Sequence, residues 1–75
     1  MKVTRQNLIE LCDNFLDHKI DKTAIINFAW AAINDNLFEW EKDEIISDTI
    51  IEWDNEDINF EINKTNILLW KERLL

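Results

Sequence analysis

The stretch Glu41-Lys42-Asp43-Glu44-Ile45-Ile46-Ser47-Asp48-Thr49-Ile50-Ile51-Glu52-Trp53 carries two patterns at once. Ile45, Ile46, Thr49, Ile50 and Trp53 recur at the three- and four-residue spacing of a helix that buries one face. Glu41, Glu44, Asp48 and Glu52 follow the same spacing and line a second face. A helix is therefore expected from Glu41 or Lys42 to Trp53, apolar on one side and acidic on another. Like charges at these intervals repel by about a few tenths of a kcal/mol per pair. Stability alone would not select such a stripe.

Working back toward the start, Leu37-Phe38-Glu39-Trp40 alternates apolar and acidic residues and predicts a brief extended piece. Before it, Ile25, Ile26, Phe28, Ala29, Ala32 and Ile33 form a broad apolar stripe. This predicts a helix opened by Asp21 as N-cap and stopped at Asn34-Asp35-Asn36, with more than one helical neighbour. Earlier still, Thr4 is placed to cap a helix carrying Leu8, Leu11, Cys12, Phe15 and Leu16, which ends near Asp17-His18-Lys19. Working forward, Asp54-Asn55-Glu56-Asp57 breaks the helical pattern. Ile58-Asn59-Phe60-Glu61-Ile62 alternates with period two, and Asn63 caps a last helix to about Leu75. The expected fold class is all-α: a small bundle of about four helices, with two short extended segments able to pair.

At 75 residues the chain is expected to form one helical domain, residues 1–75. That is near the lower limit for folding without staples. Hydrophobic residues make up 47% of the chain, including four Trp and four Phe, which is enough for a core. The single cysteine, Cys12, rules out a disulfide framework within the chain and points to a reducing compartment. Glycine and proline are both absent, so P-loop and dinucleotide fingerprints are excluded. Turns with positive φ are expected to use Asn or Asp. Residues 1–7 do not read as a signal peptide, and no apolar run is long enough to span a membrane. The expected address is the bacterial cytoplasm.

The charge is segregated. Eleven of the sixteen acids but only one of the eight bases fall between Asp35 and Glu61. That segment carries −10 and the remainder +2, within a total of −8. Two readings stand side by side: a solvated face that keeps the protein soluble, and a docking face for a basic partner. Candidate partner-binding residues on the second reading are Glu41, Glu44, Asp48, Glu52, Asp54, Glu56 and Asp57. Trp40 is the candidate aromatic anchor, because Trp is enriched among interface hot spots. Trp53 goes to the core by its helical phase.

Direct nucleic-acid binding is not expected, since there is no basic footprint. Carboxylate mimicry of nucleic acid stays open. Cys12 and His18 do not make a zinc site, which wants four ligands. From Asp54, an EF-hand register fails at positions five (Ile58), six (Asn59) and twelve (Thr65), leaving at most an irregular cation site. Ser47 is the only serine and has no histidine near it in sequence, and the carboxylates look solvated. No enzyme activity and no cofactor are expected.

Residues 8–28 carry a resemblance. Leu8-Ile9-x-Leu11, then Phe15-Leu16-Asp17-His18-Lys19-Ile20-Asp21, then a helix holding Phe28, resembles the opening of small bacterial immunity proteins of the colicin D type. It covers under a third of the chain, and no binding residue carries over. It implies a mode of action: a small acidic protein that occludes a cationic toxin. The leading expectation is thus a non-enzymatic immunity or antitoxin-like inhibitor of a basic toxin or nuclease. The alternatives are a self-associating (homodimeric) module, using the broad apolar stripe from Ile25 to Ile33 and Ile67-Leu68-Leu69-Trp70, and a weak cation-binding protein.

Overall fold

The computed structural model describes residues 2–35, 38–55 and 61–75. In chain order the elements are β1 (Lys2–Val3), α1 (Arg5–Leu16), α2 (Lys22–Asn34), β2 (Glu39–Trp40), α3 (Glu44–Asp54) and α4 (Lys64–Leu74). The all-α expectation holds, apart from one two-residue parallel pairing.

Each helix starts where a short polar side chain can take up a free amide. Thr4 Oγ1 accepts from Asn7 N–H at 3.2 Å, and the Asn7 side-chain oxygen accepts from Thr4 N–H at 3.0 Å, a reciprocal capping box. Asp21 accepts from Ala24 N–H and Asn63 from Asn66 N–H. Asp43 caps α3 through Ile45 N–H, so this helix begins at Glu44 and not at Glu41 or Lys42 as expected. The shift has a non-local cause as well, since the Arg5 guanidinium grips both oxygens of Asp43 and fixes that residue outside the helix. At the C-terminal ends, the Asn34 and Asn55 side-chain amides each donate to a carbonyl four residues back.

The α1–α2 turn corrects the expectation about positive φ. The residue there is His18, at φ 61°, and not Asn or Asp. His18 N–H donates to Phe15 O and Lys19 N–H to Asn14 O, the two bonds of a Schellman ending. The place where the apolar pattern stops puts the left-handed position on residue 18, whatever its type. Histidine is among the non-glycine residues that tolerate it.

The helices run up, down, up, down. Early α1 meets late α4 where Arg5 reaches the Leu74 carbonyl, and Thr49 and Glu52 of α3 meet Arg73 and Trp70 of α4. The principal helix contacts are α1 on α4, α2 on α3 and α3 on α4. Of the α2 stripe, Ile25, Ala29 and Ala32 are buried, Ile26 and Phe28 pack against the core, and Ile33 is exposed. Trp53 and Trp70 meet edge to face in the core, with ring centroids 6.0 Å apart.

The extended piece before α3 is present as β2, but its partner is β1, in parallel register Lys2↔Glu39 and Val3↔Trp40. Residues 58–60, the bulk of the other expected extended segment, lie outside the described residues, as do Asn36 and Leu37. Among the described residues no helix is long and apolar enough to cross a membrane.

Candidate functional site

The acidic stripe resolves into two populations. Glu44, in the first turn of α3, and Asp48, one turn later, are exposed and have no ion-pair partner among the described residues. Their position toward the N-terminal half of the helix suits the helix dipole. Glu52 faces α4 instead. It accepts from Trp70 Nε1–H at 3.0 Å and pairs with Arg73 at 3.1 Å. Arg73 also donates to Thr49 Oγ1 at 2.6 Å, and Thr49 donates to the Ile45 carbonyl at 2.7 Å. Glu52 is therefore the hub of an internal polar seam.

The geometry behind the split is angular. From Glu44 to Asp48 the helix turns about 40° past a full turn, and from Asp48 to Glu52 about 40° more. Over two turns the stripe rotates toward α4, where an arginine and an indole wait. Glu41 precedes α3 and is exposed. Asp54 is half-buried at the end of α3, and Glu56 and Asp57 lie outside the described residues.

Trp40 sits in β2, half-buried against the core, and its Nε1–H donates to the Ala32 carbonyl at 3.0 Å. Its polar edge is thus already engaged, and part of the ring remains open. One residue went unassigned in the sequence reading. Ile51 is 49% exposed, three residues after Asp48 and seven after Glu44, so it shares their face. The signal was present in the doublet Ile50-Ile51, only one member of which fits the core phase.

Two acids of the segment are neutralised by arginines from outside it. Asp43 receives Arg5 Nε–H at 2.6 Å, and this hydrogen bond holds its carboxyl below the usual carboxylate range. Arg73 does the pairing for Glu52. Among the described residues of the segment, the exposed acids are Asp35, Glu39, Glu41, Glu44, Asp48 and Glu61.

Chemistry elsewhere is sparse. Burial pushes the Cys12 thiol up to about 12, with the neighbouring Asp13 adding to the rise, so it is neutral and shielded at physiological pH. Among the described residues no three His, Cys, Asp or Glu side chains stand close enough to hold a metal ion. Comparison with known proteins finds no family model, curated sequence or solved structure that matches the chain.

Proposed function

We propose that this chain is a non-enzymatic acidic binding protein that occludes a basic partner, as an immunity or antitoxin-like inhibitor of a toxin or nuclease domain in the bacterial cytoplasm. The observation that carries the reading is the outer face of α3. There two exposed carboxylates without an ion-pair partner among the described residues, Glu44 and Asp48, share a face with the half-exposed Ile51. One-signed charge around an apolar contact steers a cationic surface in and then gives it something to bury. Just before α3 in the chain, exposed Glu41 and half-buried Trp40 are further candidates for contact with the partner. Glu52 supports it from behind by fixing α3 on α4.

The test is association kinetics with a basic toxin domain, first sought among the products of neighbouring genes. The on-rate should fall steeply with added salt, and Glu44→Lys with Asp48→Lys should lower it by roughly tenfold or more at low ionic strength. An acidic or neutral physiological partner, or an on-rate indifferent to salt, overturns the reading.

A second reading, self-association, is favoured by one observation. Trp30 is 61% and Leu69 60% exposed, and Ile33 and Leu68 are exposed beside them in sequence. Ile67 and Trp70 are consumed by the core and do not contribute. Solution mass over a concentration series distinguishes the two: a stable dimer lost on Trp30→Ser or Leu69→Ser supports the second reading, and a monomer throughout removes it.

A further inference from the structure

At the end of the bundle away from the β1–β2 pairing, the α1–α2 turn and the start of α4 enclose an open groove of about 720 Å³. Its floor is apolar, from Phe15, Ile20 and Ile62, and its rim carries Lys19, Lys22 and Lys64. His18 and Asp21 also line it, but the Asp21 carboxylate is already occupied in capping α2 through Ala24 N–H at 3.1 Å. Lys19 and Lys64 are exposed and make no ion pair among the described residues.

Three features coincide here. The chain has a net charge of −8, yet lysines outnumber acids three to one along this lining. Gathering like charges around an apolar hollow costs free energy that the described neighbours do not offset at Lys19 or Lys64. The volume falls within the range of about 300–1,000 Å³ common to small-ligand sites, which pair apolar walls with a few polar groups. An inorganic anion would leave Phe15 and Ile20 open to water, and a neutral apolar molecule would leave Lys19 and Lys64 unmatched.

We infer that this groove binds a small anionic amphiphile, its apolar body seated on Phe15, Ile20 and Ile62 and its carboxylate, sulfonate or phosphate head held by Lys19, Lys22 and Lys64. The site is separate from the acidic face of α3 and stands or falls independently of the proposed function.

The experiment titrates the full chain with 8-anilinonaphthalene-1-sulfonate, read by amide chemical shifts. Saturable binding should centre its shifts on residues 18–22 and 62–65. N-phenyl-1-naphthylamine, which has the same rings without the sulfonate, should bind at least roughly tenfold more weakly, the scale of one charge-assisted hydrogen bond. Lys19→Gln with Lys64→Gln should weaken the sulfonate probe by a similar factor. Lys19→Arg with Lys64→Arg should retain it, and Lys2→Gln with Lys42→Gln should leave it unchanged. Decanoate should displace the probe, and inorganic phosphate should not. Shifts centred on Trp30 or Leu69, equal binding of the uncharged probe, full binding by the Gln pair, or displacement by phosphate alone would overturn the assignment.

Discussion

Asp48 and Glu52 stand one turn apart on the same helix and have nearly the same chemistry, yet they belong to different parts of the molecule. Glu52 is enclosed between Trp70 and Arg73 and ties α3 to α4. Asp48 faces outward, with no ion-pair partner among the described residues. The lesson is that a charge pattern read along a helix gives the supply of carboxylates and not their employment. What decides is whether a cation on another element reaches them.

The contrast can be broken at several strengths. The largest effect is expected on the inner side, where Trp70→Ala removes the edge-to-face partner of Trp53 and the indole donor to Glu52. A loss of about 3–5 kcal/mol is expected in urea unfolding. Next comes the direct pair. Glu52→Ala should cost about 1–3 kcal/mol, because Trp70 Nε1–H and Arg73 lose their acceptor. Asp48→Ala should stay within about 0.5 kcal/mol of the parent. Equal losses at the two positions would end the distinction drawn here.

Exposure alone does not make a position neutral, and His18 sharpens that point. It is solvent-exposed but held at φ 61°. His18→Gly should gain about 1 kcal/mol by relieving the left-handed strain, visible as a raised melting temperature. An unchanged or lowered melting temperature would show that the histidine side chain is itself engaged.

The smallest effect is one of pH. Asp43, like Glu52, is gripped by an arginine, and its folded-state pKa is depressed by the Arg5 hydrogen bond. Its contribution is therefore present above the ordinary aspartate value of 3.8 and is lost as pH falls through the lower folded value. Asp43→Asn keeps a competent helix cap and should flatten the acid limb of the stability curve. Asp48→Asn should leave that limb as it is.

Much of this architecture was legible because it is local. Thr4, Asp21 and Asn63 announce their helices through bonds that span three residues, and the apolar spacing of Leu8, Cys12, Ile46, Ile50 and Trp53 marks the core faces. The missed features are bonded at a distance. β1 is two residues long and pairs with β2 across the whole of α1 and α2, so no periodicity could reveal it. The start of α3 moved to Glu44 because Arg5, 38 positions away, holds Asp43. The reach of Arg73 to Glu52 spans 21 positions, and it redefines the candidate face by withdrawing one of its acids. Ile51 took the vacated place, although its phase was readable from the start.

Arg5 has a consequence for kinetics. Its guanidinium joins the beginning of α1 to Asp43, 38 residues on, and to the Leu74 carbonyl, 69 residues on. Contacts that close such long loops carry the greatest chain-entropy cost. The expectation is that they form after the folding barrier, when the helices are already docked. A latch made that late does little to hurry folding and mainly retards escape from the folded state. Arg5→Met should then speed unfolding in a chevron experiment and leave the refolding limb nearly in place. A slowed refolding limb would instead place the latch in the folding nucleus.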